Sequence, residues 1–367
     1  MTRMELEREI LAWMAEADRG DWQRDDARFA ELALALFAFQ YQSCDAYRRY
    51  CEGRGASLEK VRDWRAIPAV PTGAFKEVAL RCFPAEREIA TFRTSGTSGA
   101  PGARRGELHL DSLALYEASL LPTIRRHLFP DLAADERMPI LVLTPSADEL
   151  PDSSLSHMFS CAVARIGSSE SAFFVHRGEL RLDALRERLV AARTPVAVCG
   201  TAFAFVHLLE GCSDPFELPE GSRILETGGF KGRSREIPRA ELHTWIESGL
   251  GVPRDRIVNQ YGMTELGSQF YDSVLAEPDA PRRKLGPPWV RVRLIDPTSD
   301  REVEPGRPGT LVIHDLANTG SVAAVMTADL GVQVDASSSE PGFDVLGREP
   351  GAEERGCSLA ADLMLSR

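Results

Sequence analysis

The chain has 367 residues, of which 43% are hydrophobic and 27% are charged, and its formal net charge is −12 at pH 7. This composition is typical of a globular protein with more than one subdomain. The acidic balance argues against nucleic acid or an anionic membrane surface as a partner. No run of about 18 apolar residues is present, so an integral membrane protein is not expected.

The N-terminus and the cysteines point to a cytoplasmic location. MTRMELEREILAWMAEADRG places acids where a secretion signal needs a basic and then an apolar run. The seven cysteines lack CxxC spacing, which predicts neither a disulfide framework nor a zinc site, and the thiols are expected to be reduced. Cys44 and Cys51, seven apart on a predicted helix, and Cys199, at the end of an apparent buried strand, are interpreted as packing residues.

The predicted elements change character along the chain. Residues 1–88 are expected to be mainly helical, since DDARFAELALALFAFQYQSCDAYRRYCEGRG has Asp caps, an apolar periodicity and a Gly stop. Over residues 89–280, apolar runs such as MPILVLT and SRILETGG alternate with helical patterns, which predicts mostly parallel strands flanked by helices. Residues 281–348 alternate with period two in WVRVRLIDP and GTLVIHDL, which predicts a small antiparallel β subdomain. Residues 349–367 form a short tail, and the expected fold class is α/β.

The most unusual stretch is TFRTSGTSGAPGARRG. Its glycines let the backbone approach a ligand, and its amide and hydroxyl groups can donate several hydrogen bonds to one polyphosphate. The candidate phosphate-binding residues are Thr94, Ser95, Gly96, Thr97, Ser98 and Gly99. No Lys follows as in the nucleoside triphosphatase loop, and ARRGELHLD predicts a strand next, so the loop is expected between strands. A flexible surface loop is the alternative that composition leaves open.

TSGTSGAPG resembles the phosphate loop of the superfamily that activates carboxylates as acyl-adenylates. NQYGMTE, residues 259–265, resembles its Tyr-Gly-x-Thr-Glu segment. The resemblance implies that Tyr261 lies against adenine, with Gly262 also in the nucleotide site. It further implies that Thr264 contacts the α-phosphate and that Glu265 helps to hold Mg²⁺.

Three further motifs resemble segments of the same superfamily. ETGGFKG, with Gly228 and Gly229, resembles the turn that borders the adenine. TADLG places Asp329 where the superfamily has the acid that bonds the ribose hydroxyls, and FDVLGRE places Arg348 at its Gly-Arg position near the ribose. The motifs follow the expected order and imply ATP and Mg²⁺ as cofactors. Mg²⁺ and fixed donors suit the charge that develops when a carboxylate attacks the α-phosphorus.

The chain departs from the superfamily pattern in two places. The phosphate loop lacks the usual Lys, so Arg104 or Arg105 is expected to supply that charge, with Lys76 and Lys231 as weaker candidates. The common architecture continues with a mobile C-terminal domain that brings a catalytic lysine, whereas only a short tail follows Arg348 here. The resemblance therefore implies the large N-terminal domain without the full mobile domain.

The terminal RGCSL, with IPAVPTGAFKEVAL and GTAFAFVHLLE, resembles the acyl-protein synthetases of bacterial bioluminescence systems (LuxE-like). This resemblance implies that the adenylate passes its acyl group to Cys357 as a thioester, for delivery to a partner reductase. A thiolate is a good nucleophile toward a mixed anhydride. His157 in DSSLSHMFS is a candidate for assisting the thiol or lining the acyl pocket, and a structural His is the alternative.

The sequence therefore predicts an ATP- and Mg²⁺-dependent ligase that activates a carboxylic acid, with a fatty acid as the first expectation, and captures the acyl group on Cys357. Two alternatives stay open. One is a ligase that passes the acyl group to coenzyme A or a carrier protein, with an incidental Cys357. The other is a non-catalytic adenine-nucleotide-binding module.

Overall fold

The computed structural model describes residues 1–95, 104–212, 214–228, 237–335, 341–348 and Met364. The helices of these ranges, besides three short 3-10 turns, are α1 (Arg3–Asp18), α2 (Asp26–Ser43), α3 (Asp45–Gly53), α4 (Ala74–Glu77), α5 (Ala114–Leu128), α6 (Ser154–Arg165), α7 (Leu182–Ala191), α8 (Ala202–Glu210) and α9 (Arg239–Leu250). None of these helices is long and apolar enough to cross a membrane.

The strands of the same ranges are short and numerous. They are β1 (Val70–Pro71), β2 (Ala90–Arg93), β3 (Glu107–Leu110), β4 (Ile140–Leu143), β5 (Ala172–Phe173), β6 (Val175–His176), β7 (Glu179–Leu180), β8 (Ala197–Thr201), β9 (Arg223–Thr227), β10 (Ile257–Tyr261), β11 (Phe270–Asp272), β12 (Lys284–Leu285), β13 (Val290–Asp296), β14 (Arg301–Glu302), β15 (Gly309–Asp315), β16 (Ala324–Val334) and β17 (Gly342–Arg348).

The N-terminal part is helical, as the sequence predicts, with one correction. Glu5 and Thr2 form a capping box at the start of α1, and the Asp25 side chain caps α2. The helix expected to carry both Cys44 and Cys51 is broken at Cys44, whose backbone is extended between α2 and α3. Both thiols are nevertheless buried packing residues, because the turn folds α3 back onto the same core.

The middle of the chain builds the parallel half of the large sheet. Strands β5, β4, β8, β9 and β10 are neighbours in that order and all run parallel. Most of their residues are buried, which agrees with the continuous apolar runs in the sequence. Cys199 lies within β8 and is 1% exposed, so it is a core residue as expected.

The later strands are antiparallel and extend the same sheet. From β10 the order continues through β11, β12, β17, β16, β15, β13 and β14, and β1 pairs with β16 in parallel. The predicted period-two segments WVRVRLIDP and GTLVIHDL are confirmed as the strands β13 and β15. One sheet of 13 strands thus joins the regions on either side of residue 281. The domain boundaries proposed from the sequence stay predictions.

Candidate active site

The base of the glycine-rich loop is a β-hairpin. Strands β2 and β3 pair antiparallel from Ala90↔Leu110 to Arg93↔Glu107. Beyond them, the Thr94 amide donates to the Gly106 carbonyl at 2.9 Å, and the Gly106 amide donates to Thr94 Oγ1 at 2.9 Å. The loop therefore lies between strands, as expected, and Ser95 is exposed at its start. Gly96, Thr97, Ser98 and Gly99 lie outside the described residues.

The two arginines after the loop have different surroundings. Arg105 donates to the carbonyl oxygens of Thr94 and Arg93, and it forms an ion pair with Asp152 at 2.9 Å. Arg104 is largely exposed and pairs with Glu77 at 3.0 Å. Arg105 therefore braces the hairpin, which leaves Arg104 the freer of the two guanidinium groups to turn toward a ligand.

The Tyr-Gly-x-Thr-Glu segment begins at the carboxyl end of a buried parallel strand. Tyr261 is the last residue of β10, and Thr227, the last residue of the neighbouring β9, is in register with Gln260. Gly228 follows β9 and is exposed, and Gly229 lies outside the described residues. Ligands of open α/β sheets bind outside the carboxyl ends of the strands. Both segments predicted to border the adenine are thus at the expected edge.

Tyr261, Asp329 and Arg348 come together across three strands. Asp329 in β16 is directly opposite Arg348 in β17, and their side chains approach to 3.9 Å. The Tyr261 hydroxyl donates to Asp329 Oδ2 at 2.8 Å, and its ring packs edge-on against Phe343. Burial, followed by the nearby Asp329 charge, raises the pKa of Tyr261 well above its usual value. The phenol thus stays protonated and can donate to the acid.

Glu265 links this cluster to the glycine-rich loop. Its side chain is 5% exposed, and a Cβ atom placed on Gly106 would lie 3.5 Å from Glu265 Oε1 and 3.1 Å from Thr94 Cγ2. Burial raises the pKa of Glu265 to about 7, against lowering contributions from its own backbone amide, Lys76 and Arg348. Thr264, half-buried, precedes it in the turn. A side chain at residue 106 would therefore crowd Thr94 and contact the Glu265 carboxylate.

This arrangement fits a hard divalent cation. A buried carboxylate whose pKa is raised by desolvation gains stability from a nearby positive charge, and Mg²⁺ prefers oxygen ligands with phosphates completing its shell. Gly106, in the hairpin that leads into the phosphate-loop motif, lies next to the Glu265 carboxylate. The assignment of Glu265 as a ligand of Mg²⁺ stays a prediction.

His157 contacts residues outside this cluster. It is on α6, its ring packs against those of Phe92 and Tyr116, and its Nε2 is 3.1 Å from Glu117 Oε1. The same nitrogen is 3.4 Å from Cys161 Sγ. Burial and the Glu117 charge raise the pKa of Cys161 to about 12, so this thiol is not a ready nucleophile. The catalytic role of His157 stays a prediction.

Two features of the site were not identified from sequence. Asn318 donates its side-chain amide to the Glu265 carbonyl at 2.7 Å, which fixes the turn, yet it stands 53 residues away along the chain. In the tail, Met364 is fully buried and its carbonyl accepts a hydrogen bond from Arg49 Nε at 2.8 Å. Cys357 lies outside the described residues. No local pattern marks either contact.

Comparison with solved structures defines the class of fold. The chain aligns with 2-hydroxyisobutyryl-CoA ligase in an open conformation with 2-HIB-AMP and CoA, at a TM-score of 0.62 and 14% identity, over 88% of this chain and 70% of that one. The same enzyme in its postadenylation state aligns at a TM-score of 0.63 and 14% identity, over 88% of this chain and 68% of that one. The fold is thus the α/β fold of the adenylate-forming ligases.

Comparison of sequences narrows the class to a family. Residues 168–365, more than half of the chain, match the family described as "Acyl-protein synthetase, LuxE". Two relatives are called long-chain-fatty-acid–luciferin-component ligase. The relative from Aliivibrio fischeri is 22% identical to this chain, and the alignment covers 95% of this chain and 92% of the relative. The relative from Vibrio harveyi is also 22% identical, and the alignment covers 95% of this chain and 91% of the relative. The chain belongs to the LuxE acyl-protein synthetase family, and it is a ligase.

Proposed function

We propose that this protein activates a long-chain fatty acid with ATP and then acylates itself on Cys357. In the first step the carboxylate attacks the α-phosphorus of ATP, which forms acyl-AMP and expels pyrophosphate. In the second step the Cys357 thiolate attacks the acyl carbon, which forms a thioester and expels AMP. The thioester then serves a partner reductase, as the family resemblance implies.

The convergence of Glu265, Asp329 and Tyr261 is the observation that carries the first step. Asp329 presents a carboxylate to the ribose hydroxyls, with Arg348 beside it, and Tyr261 holds that carboxylate from the other side. The Tyr261 ring, fixed against Phe343, offers a face or edge for the adenine. The loop residues from Thr94 to Gly99 are proposed to donate to the phosphates, with Thr264 at the α-phosphate.

Glu265 is proposed to hold Mg²⁺. When bound, the ion would neutralise phosphate charge and stabilise the spread of charge in the transition state. Glu265 contributes a carboxylate that is already desolvated, so little solvent reorganisation is needed around it when the ion binds. Gly106 adds no side chain of its own beside this carboxylate.

The substrate class follows from the relatives. Both are named as long-chain-fatty-acid ligases, and they align over nearly the whole of this chain. The proposal extends that substrate class to this protein. Coenzyme A as the acceptor has no comparable support among the described residues.

The tail supports Cys357 as the acceptor through its two attachment points. Cys357 stands nine residues after Arg348, in the proposed nucleotide site, and seven before Met364, which is buried. Seven residues span at most about 25 Å, and nine span about 30 Å. Nine residues link the thiol to Arg348 in the proposed site, and the buried Met364 holds the chain on its other side, so the tether raises the effective concentration of the thiol near the site.

Intact-protein mass spectrometry tests the proposal. The protein is incubated with ATP, Mg²⁺ and fatty acids of graded chain length, and AMP release is followed in parallel. We expect one acyl adduct that hydroxylamine removes and that is absent in Cys357→Ala but present in Cys212→Ala. AMP without an adduct, with turnover only when coenzyme A is added, would contradict the self-acylation step. Absence of pyrophosphate exchange with every acid would contradict adenylation itself.

A further inference from the structure

A cluster on the α5–α6 helix pair has the chemistry of a metal site. His157 and Cys161 stand four residues apart, on one face of α6, and Glu117 faces them from α5. One ligand atom from each residue lies within 4.8 Å of the other two. The Tyr116 hydroxyl, which donates to the Ser154 carbonyl at 3.1 Å, holds the two helix starts together. The cluster is therefore built on rigid elements.

The separations within the cluster match tetrahedral coordination. With Zn–N and Zn–O bonds of about 2.0–2.1 Å and a Zn–S bond of about 2.3 Å, a tetrahedral ion separates N from O by about 3.3 Å and N from S by about 3.5 Å. The observed Nε2–Oε1 and Nε2–Sγ distances are 3.1 and 3.4 Å. An ion could enter with shifts of a few tenths of an ångström along these two edges.

The three groups already share hydrogen bonds around one carboxylate. Glu117 accepts from His157 when Nε2 carries a proton, and the Cys161 thiol also hydrogen-bonds Glu117. A cation at the centre would replace these proton-mediated contacts, because all three atoms can then act as ligands.

We propose that Glu117, His157 and Cys161 form a zinc site with an open fourth position. The nitrogen, sulfur and oxygen ligands suit a borderline cation with tetrahedral preference. Cys161 gives up its thiol proton on binding, His157 binds in its neutral form, and Glu117 binds ionised. The Glu117 side chain is 42% exposed, so water reaches the fourth position. The sequence did not indicate this site, since its ligands come from two helices.

The proposed zinc site contacts Phe92, which lies in the strand that leads into the glycine-rich loop. The His157 ring packs 5.6 Å from that of Phe92 in β2, two residues before Thr94. Zinc would fix the orientation of this ring and join α5 to α6 beneath the strand. The ion thus braces the scaffold of the hairpin and takes no part in the proposed acyl chemistry.

Cobalt titration of the full-length, metal-free protein tests the site. We expect one equivalent of Co²⁺ to produce a thiolate charge-transfer band and the intense visible bands of tetrahedral geometry, and zinc to abolish both. Cys161→Ser should lose the thiolate band. His157→Ala and Glu117→Gln should bind at least about 10–100-fold more weakly, since even outer-shell losses cost that much. Matched controls are Cys212→Ser and His176→Ala, the latter from a His176–Glu149 pair, which should bind as the wild type.

Two results would overturn the proposal: no thiolate band in the wild type, or an unchanged band in Cys161→Ser, which would place the thiol elsewhere. X-ray absorption of the zinc-loaded wild type needs no variant and avoids any folding defect. One sulfur at about 2.3 Å with lighter ligands at about 2.0–2.2 Å supports the site. A shell of nitrogen and oxygen alone contradicts it.

Discussion

At the scale of single residues, burial of the Glu265 carboxyl group disfavours its charged form. Folding places its carboxyl group under the loop hairpin and 5% exposed, and burial raises its pKa to about 7 from a usual 4.5. Between these two pH values the folded protein binds a proton that the unfolded chain does not. The stability contribution of Glu265 is thus fully present below about pH 4.5 and is lost as the pH rises through about 7.

Glu265→Gln should therefore lose activity and, at pH 8, have a higher free energy of unfolding than the wild type. At pH 8 without ligands, the variant avoids a buried charge, so its free energy of unfolding should exceed that of the wild type by on the order of 3 kcal/mol. At pH 5 the difference should be small, and pyrophosphate exchange should be lost at both values. Denaturant unfolding at the two pH values measures this, with the exposed Glu217→Gln as control. A difference that does not depend on pH would contradict the assignment.

At the scale of elements, α3 is joined to the tail by a contact that spans most of the chain. Arg49 donates to the carbonyl of Met364, and the Met364 side chain belongs to the core that α3 also lines. Arg48, the adjacent residue, pairs with Asp45 at 2.7 Å, and its side chain is 37% exposed. One helix thus carries both an anchor for the tail and a matched surface arginine.

Arg49→Ala should slow thioester formation roughly tenfold, because a charge-assisted hydrogen bond that holds the tail is lost. Pyrophosphate exchange should be unchanged, since the nucleotide cluster does not involve α3. Single-turnover measurement of acyl adduct against AMP release separates the two steps, and Arg48→Ala is the control. Faster acylation in Arg49→Ala would mean that the anchor holds the thiol away from the site.

At the scale of the whole molecule, a buried ion pair lies where the antiparallel strands β11 and β12 meet β10, the last of the parallel strands. Lys284 in β12 contacts Asp272 in β11 and donates to the Asn259 carbonyl in β10 at 3.0 Å. Both charged side chains are at most 2% exposed. Asp272 also pairs with Arg282 at 2.7 Å. The junction of the two halves therefore depends on charges that water cannot compensate.

Lys284→Met should lower the free energy of unfolding by about 3 kcal/mol, because it removes one counter-ion of the buried Asp272, which then pairs with Arg282, and removes a hydrogen bond to the Asn259 carbonyl. Lys60→Met, at an exposed lysine, should change it by less than about 0.5 kcal/mol. Urea unfolding followed by circular dichroism gives both values. Equal stabilities of the two variants would show that the pair contributes nothing to the junction.

Much of the fold follows from local patterns. Apolar runs such as MPILVLT predict buried parallel strands, and β4 confirms one of them. Alternating runs predict the antiparallel strands β13 and β15, which the structure contains. The parallel strand β4 is buried along its whole length, as its continuous apolar run predicts. The strand β15 is also buried at every residue, so its period-two pattern predicted a strand but not the covering of both its faces.

The order of the motifs was also readable from the sequence. Among the described candidates, Tyr261 ends β10, and Asp329 and Arg348 lie in β16 and β17. What the sequence could not determine is which distant residues meet. Asp111 pairs with Arg3 at 2.6 Å, and Arg49 meets Met364 across 315 positions. Glu117 meets His157 and Cys161 only because α5 packs on α6. Such contacts depend on how elements pack, and the tertiary structure alone decides them.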